Sequence, residues 1–254
     1  MDGFKYIFDD AENKYSETGA ILENFRFARD IYGFCINVGN RDEQALKFAV
    51  NINKELYSKF IFQPKSVVGY KGNEEKYEAI DDLDSKHIMQ LTFLLNNNTN
   101  HYNKIVEIGG GFGNMCRLSN NIISYNSWDI IDLPHMLELQ KYYLEHELKD
   151  ISKINFIEAY SNKNYINTDI DLVIGTHSLS EFSMDVFYNY FKNVVVNSKY
   201  FYFGYNKNCP SPNLINLKLK CILNNGFILE KNIDYTEIPH GAQVSYSLFK
   251  NLNK

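Results

Sequence analysis

The stretch Lys104-Ile-Val-Glu-Ile-Gly109-Gly-Gly-Phe-Gly113 decides the fold of this chain. A short apolar segment leads into the glycines, and a second apolar segment further on ends at Asp132. The pattern predicts a strand, a tight turn, the start of a helix, and then a second strand that ends in a carboxylate. Such a layout is typical of a nucleotide-cofactor site at the edge of an α/β sheet.

The glycine spacing narrows the class of cofactor. A dinucleotide fingerprint needs a third glycine at position 114, where this chain has Asn114, so an NAD-linked oxidoreductase is disfavoured. Glu107 lies inside the first strand, and a carboxylate in an apolar strand is costly unless it has a partner. A glycine turn alone is weak evidence, and Asp132 also fits a cap for a helix that begins at Pro134. Together, the glutamate, the glycines and the aspartate favour a cofactor site.

The second half of the chain alternates between strands and helices. We predict seven strands, at 105–108, 127–131, 153–157, 172–175, 200–205, 227–233 and 243–249. Helical spacing of apolar residues predicts helices at 114–120, 134–148, 184–191 and 214–224. This alternation is typical of a mostly parallel sheet with helices on both faces. Because no helix separates the last two strands, we expect one of them to be antiparallel.

The first 100 residues show no strong β pattern. Apolar residues recur there at helical spacing over 21–32, 43–60 and 88–95. We therefore divide the chain into a helical N-terminal extension, residues 1–100, and a cofactor-binding domain, residues 101–254.

Composition limits the classes of partner that we expect. The net charge is −5 and no cluster of Lys or Arg stands out, so we expect no nucleic-acid partner. No apolar run approaches the ~18 residues of a membrane span, and the first residues lack the apolar core of a signal peptide, so we expect no membrane partner. The four cysteines are scattered and no His/Asp cluster has ligand spacing, which predicts a cytoplasmic protein without a metal. Whether the chain forms a homo-oligomer stays open.

Two segments resemble the sugar O-methyltransferase family. Residues 128–144, beginning Trp-Asp-Ile-Ile-Asp132-Leu-Pro-His, resemble its second motif, and the Asp-Leu-Pro-His core also resembles plant-type small-molecule O-methyltransferases. Residues 171–181, Asp-Leu-Val-Ile-Gly-Thr-His177-Ser-Leu-Ser-Glu181, are similar to its Asn-Thr-x-Ser-x-x-Glu segment, with Gly175 where the family usually has asparagine. The acidic residue and close glycines at 107–113 are similar to the first motif of S-adenosylmethionine (SAM) dependent methyltransferases.

The resemblance implies a class I methyltransferase fold, a Rossmann-like seven-stranded sheet with a helical N-terminal extension, and SAM as the cofactor. It places Glu107 near the methionyl ammonium, Asp132 on the ribose hydroxyls and Leu133 against the adenine. The backbone of the turn would approach the ligand where side chains are missing. The residues that it assigns to cofactor binding are Glu107, Gly109, Gly111, Gly113, Asp132 and Leu133.

The loop after the fourth strand carries the candidate catalytic residues. A hydroxyl is a poor nucleophile, so we expect a base at the carboxyl edge of the sheet. We predict His177 as that base, with Glu181 either orienting it or binding a substrate hydroxyl. Two alternatives stay open: His177 is ordinary polar surface, or Ser178 and Glu181 form a capping box for a short helix.

The sequence thus predicts a SAM-dependent O-methyltransferase that acts on a hydroxyl of a sugar or glycan precursor. The N-terminal extension would cover this small-molecule or glycan acceptor, with Arg26, Tyr70 and Lys71 as candidate lid residues and His240 at the rim. The alternatives are O-methylation of another small molecule, or a non-catalytic subunit that resembles a methyltransferase and binds SAM or a protein partner. A nucleic-acid methyltransferase is disfavoured, since no Asn/Asp-Pro-Pro-Tyr segment follows the fourth strand.

Overall fold

The computed structural model describes residues 22–27, 41–70, 80–96, 101–159, 168–207, 211–236 and 242–254. These residues fall into two compact units. The helical unit contains the described residues up to Thr92, together with Gly111–Ile122 and Leu133–Ile151. The sheet unit contains Phe93–Gly110, Ile123–Asp132 and the described residues from Ser152 onward. The helical unit thus includes segments from both sides of residue 100. The division into an N-terminal extension, residues 1–100, and a cofactor-binding domain, residues 101–254, stays a prediction.

The helices and strands of the described residues are as follows. The α-helices are α1 (Glu43–Ile52), α2 (Lys54–Ile61), α3 (Asp82–Leu95), α4 (Asn114–Ser119), α5 (Pro134–Glu147), α6 (Ser178–Glu181), α7 (Met184–Asn193) and α8 (Pro212–Asn224). Short 3-10 helices cover Leu22–Phe27 and Val195–Asn197. The strands are β1 (His101–Ile108), β2 (Ser124–Asp132), β3 (Ile154–Glu158), β4 (Ile170–Thr176), β5 (Ser198–Asn206), β6 (Phe227–Thr236) and β7 (Gln243–Asn251).

The seven strands of the sheet unit form one sheet in the order β3-β2-β1-β4-β5-β7-β6. All neighbouring pairs up to β5 are parallel, whereas β7 is antiparallel to both β5 and β6. The predicted fold class, a mostly parallel sheet with one antiparallel strand, is confirmed. The crossover from β3 to β4 reverses the strand order between β1 and β4, and ligands of open α/β sheets bind at such a switch point.

Central strands of this sheet are apolar on both faces, as expected for strands that helices cover. Val106 of β1, Val173 of β4 and Phe201 and Phe203 of β5 have no exposed surface, and they belong to one hydrophobic core. Helices α7 and α8 contribute Phe187 and other apolar residues to this core. The sheet therefore offers a rigid frame whose strand ends position the candidate site.

In the helical unit, the continuous helical pattern predicted over 43–60 is interrupted. Asn53 has an extended backbone (φ −161°, ψ 99°), and its side chain accepts a hydrogen bond from the N–H of Leu56. Asn53 thus ends α1 and caps α2, because asparagine competes with the helix for backbone groups. Of the predicted 21–32 helix, the structure describes only Leu22–Phe27. Within the described ranges, no helix is both long and apolar enough to cross a membrane.

Candidate functional site

The first glycine of the turn is required by a close packing contact inside the sheet unit. Gly109 has φ +75°, and a Cβ at this position would lie 2.3 Å from Cβ of Ser178. The Ser178 hydroxyl donates to the carbonyl of Ile108, and the Gly109 N–H donates to the carbonyl of Ile131. Gly109 therefore lets the loop after β4 approach the end of β1, so the space on its Cβ side is filled by protein.

The next part of the turn belongs to the helical unit and is more open. Gly111 has φ +57°, and a Cβ there would meet no atom of the described residues within 4 Å. Its carbonyl accepts a hydrogen bond of 2.9 Å from Nε2 of the buried Gln140 on α5. Gly113, at φ +91°, precedes α4 and lies against Leu144, which a Cβ would approach to 3.1 Å. Among the described residues, Gly111 is thus open on its Cβ side, and binding of the cofactor by Gly109, Gly111 and Gly113 stays a prediction.

The side chain at position 112 anchors this turn in the helical unit. The ring of Phe112 packs edge-on to Tyr143 (4.8 Å between centroids) and lies 5.1 Å from the ring of Phe25. The guanidinium of Arg26 lies 4.9 Å from the Phe112 ring and 4.8 Å from that of Tyr70. Arg26 and Tyr70, proposed as lid residues, are therefore buried inside the helical unit. The other two candidates for the rim of the site, Lys71 and His240, lie outside the described residues.

Asn114 explains why the third glycine of a dinucleotide fingerprint is missing. Its amide donates to Asp84 (2.9 Å) and lies 3.1 Å from Nδ1 of His87. Its carbonyl oxygen accepts from Nε of Arg117 and from the hydroxyl of Tyr143. The first residue of α4 is thus the centre of a buried polar network, a role that glycine cannot fill.

Glu107 is a buried carboxyl group at the end of β1. Only 4 % of the residue is exposed, and its Oε2 accepts a hydrogen bond of 3.0 Å from the indole N–H of Trp128 on β2. Burial raises the pKa of Glu107 to about 8; the Trp128 bond opposes this shift and the charge of Asp132 adds to it. Without a bound cation, the Glu107 carboxyl therefore holds its proton at neutral pH. A bound cation would favour its ionised form.

Asp132 ends β2 and is partly exposed. Its carboxylate is close enough to Glu107 to raise the pKa of that group. The N-cap of α5 is the following residue, Leu133, whose own side chain makes no capping hydrogen bond. The alternative in which Asp132 caps the helix stays a prediction. Leu133 is partly exposed, with the extended backbone of an N-cap.

The strongest backbone anomaly lies at His177, directly after β4. Its φ of 66° and ψ of −50° make it the one residue other than glycine with positive φ among the described residues. Its N–H donates to the carbonyl of Gly204 (2.8 Å), and its carbonyl accepts from the N–H groups of Ser180 and Glu181. Such conformations cost energy, are held in place by surrounding contacts, and concentrate at functional sites.

The imidazole of His177 contacts a tyrosine on β7, two strands away from β4 in the sheet. Its Nε2 lies 3.2 Å from the hydroxyl of Tyr246 on β7, with the two rings nearly perpendicular. Among the described contacts no hydrogen bond joins the ring to Glu181, which contacts His177 through its backbone N–H. The role of Glu181 as a partner of the ring or of a substrate hydroxyl stays a prediction.

Glu181 lies on α6, whose carbonyls are held by a buried lysine. Nζ of Lys218 on α8 donates to the carbonyls of Leu179, Ser180 and Phe182 at 3.1, 2.7 and 2.6 Å. Burial raises the pKa of Glu181 and lowers that of Lys218 to about 8, and the attraction between the two charges opposes both shifts. Lys218 thus fixes the loop that carries both catalytic candidates.

Two further observations explain the local sequence after β4. The hydroxyl of Ser178 bonds to β1, and His177 is the N-cap of α6 with no side-chain cap, so the capping box is not formed. A Cβ on Gly175 would lie 2.5 Å from Cδ1 of Leu179. The asparagine that the sugar methyltransferases usually carry at this position would collide with Leu179 as it is placed here.

Sequence reasoning missed Trp128, Tyr246 and Lys218. Each contacts a residue that is far away along the chain, so the contact is apparent only in the folded structure. Glu107 pairs with Ile130 in the parallel ladder. Trp128 lies two residues before Ile130, so its side chain is on the same face of the sheet as that of Glu107. That Trp128 is the single tryptophan of the chain was the one available signal. No group of three or more His, Cys, Asp or Glu in the described part of the chain could hold a metal ion.

No protein-family model and no curated protein matches the sequence. Solved structures do match the fold. A candidate RNA methyltransferase from Pyrococcus horikoshii aligns with a TM-score of 0.54 and 11% identity over 78% of this chain and 97% of its own. The N-methyltransferase NodS from Bradyrhizobium japonicum, in complex with S-adenosylhomocysteine (SAH), aligns with a TM-score of 0.53 and 13% identity over 80% of this chain and 99% of its own. A SAM-dependent methyltransferase from Leishmania major gives 0.50 and 16% identity, covering 78% and 83%.

These likenesses show that the chain has the class I methyltransferase fold, in agreement with the resemblance found at 104–181. They also correct one expectation. The exclusion of a nucleic-acid partner was wrong, because a structure described as a candidate RNA methyltransferase has the same fold. The net charge of a whole chain does not describe the charge around its substrate groove, so it cannot exclude this class of acceptor.

Proposed function

We propose that the protein is a SAM-dependent methyltransferase that transfers a methyl group to a hydroxyl oxygen. The observation that carries the proposal is that three features lie at the ends of neighbouring strands of the sheet unit. Glu107 and Asp132 are close enough to interact at the ends of β1 and β2, and the strained His177 follows β4. Carboxylates beside a switch point suit a cationic, ribose-bearing ligand, and a histidine beside them suits proton transfer.

The charges of the residues suit SAM. The methionyl ammonium is a cation, and Glu107 is a buried carboxyl whose ionised form needs one. Asp132, partly exposed at the end of β2, would accept hydrogen bonds from the two ribose hydroxyls, with Leu133 against the adenine. The resemblance adds Gly109, Gly111 and Gly113 as residues whose backbone would contact the ligand. When bound, the sulfonium supplies a methyl carbon that is already activated for in-line displacement.

The protein's part in the reaction is then positioning, exclusion of water and removal of one proton. His177 would take the proton of the acceptor hydroxyl, and SAM, when bound, would supply the methyl group and leave as SAH. Glu181, at the end of the short helix α6 that His177 caps, binds a second hydroxyl of the acceptor. Glu107 and Asp132 hold the donor. A sugar or glycan precursor, which offers adjacent hydroxyls, is the acceptor class that we favour, and the family-like segment at 171–181 supports it.

The test is release of SAH from SAM in the presence of acceptor panels: free sugars and nucleotide sugars, other small alcohols and phenols, and RNA. His177→Asn is the diagnostic variant, because asparagine tolerates positive φ better than alanine does. We expect turnover with a sugar panel that falls by about 100-fold or more in His177→Asn while SAH binding is kept. Turnover with RNA alone would refute the sugar acceptor. Binding of SAM without turnover on any panel would favour the non-catalytic alternative.

A further inference from the structure

Tyr246 reaches the candidate site across the sheet from β7. The register places Thr176 of β4 next to Gly204 of β5, and Gly204 next to Tyr246. Neighbouring strands lie about 4.8 Å apart, so Tyr246 must span two strand spacings, or about 10 Å, to touch the residue after β4. Its fully buried side chain nevertheless brings the hydroxyl to 3.2 Å from Nε2 of His177.

Gly204 makes this reach possible. A Cβ on Gly204 would lie 2.9 Å from Cδ1 of Tyr246 and 3.1 Å from Cγ2 of Thr176. The tyrosine ring therefore lies directly over the bare backbone of β5, and any larger residue at 204 would lift it away. The ring is also stacked on that of Tyr202, with 6.3 Å between centroids. Tyr246 is thus fixed by packing, and its hydroxyl has a defined direction.

The backbone of His177 is fixed independently of Tyr246. Its N–H bonds to Gly204, and its carbonyl accepts from two N–H groups and from the hydroxyl of Ser180. These contacts set φ and ψ but leave the rotation of the imidazole and the position of its proton undetermined. In histidine sites, the hydrogen bond made by one ring nitrogen decides which nitrogen carries the proton.

We infer that Tyr246 is a positioning residue for His177: its phenol, carried over Gly204, fixes the plane and the tautomer of the imidazole that serves as the base. The role of His177 as a base rests on the proposed function. The fixing of the His177 ring by Tyr246 does not depend on that function. Because the Tyr246 hydroxyl occupies Nε2, the proton of the acceptor would go to Nδ1 of His177. The effect of Tyr246 on the reaction passes through the His177 ring.

The experiment is ¹⁵N NMR of protein labelled at histidine, at a pH where neutral imidazole dominates. His177→Gln identifies the His177 ring signals. We expect Tyr246→Phe to shift both ring-nitrogen signals of His177 towards a mixture of tautomers, with the other histidines unchanged. Tyr202→Phe is the matched control, since it removes a buried phenol from the adjacent stacked ring and should leave His177 unchanged. Unshifted His177 signals in a folded Tyr246→Phe protein would overturn the inference.

A second variant covers the case in which Tyr246→Phe does not fold. Gly204→Ala keeps the phenol but displaces it, so it should produce the same shift; an unshifted His177 signal in this variant also overturns the inference. Once an acceptor is known, Tyr246→Phe should lower kcat by about 10-fold and leave KM for SAM unchanged. If His177→Asn retains full turnover while the NMR shift is present, the proposed base fails and the pairing with Tyr246 stands.

Discussion

Replacing Glu107 with glutamine should stabilise the protein at high pH, at the expense of cofactor binding. The buried carboxyl has its pKa raised from 4.5 to about 8, chiefly by burial. Below pH 4.5 the carboxyl is protonated in both the folded and the unfolded chain, and the folded state has no penalty. As the pH rises towards 8, the unfolded chain ionises freely while the folded one does not, so the free energy of unfolding falls.

The size of this effect follows from the pKa difference. A rise from 4.5 to about 8 corresponds to a loss of up to about 5 kcal/mol between these two pH values. Glutamine has nearly the same shape, carries no ionisable group, and keeps an oxygen that can accept the hydrogen bond from Trp128. Glu107→Gln should therefore remove this part of the pH dependence and leave the contributions of all other groups unchanged.

The assay is urea denaturation followed by the fluorescence of Trp128, the single tryptophan, at several pH values between 5 and 8. We expect the stability of the variant relative to the natural protein to grow steadily with pH. Glu158→Gln is the control, because this exposed carboxylate also ends a strand at the same edge of the sheet. The plot of its unfolding free energy against pH should run parallel to that of the natural protein. Parallel curves for Glu107→Gln as well would refute the assignment of a buried, protonated carboxyl.

Three further predictions concern the turn and its supports. Gly109→Ala should lower the free energy of unfolding by about 2–4 kcal/mol, because the added Cβ meets Ser178. Gly111→Ala should lower it by about 1–2 kcal/mol and should mainly weaken SAH binding. Denaturation and calorimetric titration of both variants check these two expectations. Lys218→Met should cost about 2–4 kcal/mol in denaturation because three carbonyls lose their donor, and equal stability would contradict it. Asn114→Gly restores a dinucleotide fingerprint, yet it should lower the melting temperature by several degrees and create no NAD binding in a titration.

The positions of the strands along the chain and the glycine turn were accessible from the sequence because they depend on local signals. Apolar runs ending in glycine or aspartate marked β1 and β2, and the missing helix between β6 and β7 indicated the antiparallel strand. Boundaries were less accurate: β1 begins at His101 rather than Ile105. The break at Asn53 was missed because the apolar spacing continues through it, while the capping side chain ends the helix.

The chemistry of the site was only partly accessible, because it depends on register and backbone conformation. His177 was identified from its place after the fourth strand, but neither its positive φ nor its pairing with Tyr246 leaves a trace in the local sequence. The glycine at 109 was attributed to ligand approach, whereas the structure packs Ser178 against it. A resemblance in sequence can therefore identify the residues of a site while the reason for each residue comes from the fold.

The measurement that tests the central claim most directly is calorimetric titration of the protein with SAM and with SAH, with NAD as the comparison. We expect binding of both sulfur ligands in the micromolar range and none of NAD. In Asp132→Ala the affinity for SAH should fall by about 100-fold or more, since two hydrogen bonds to a charged acceptor are lost. Failure of the natural protein to bind either sulfur ligand, or unchanged binding in Asp132→Ala, would contradict the account of this site.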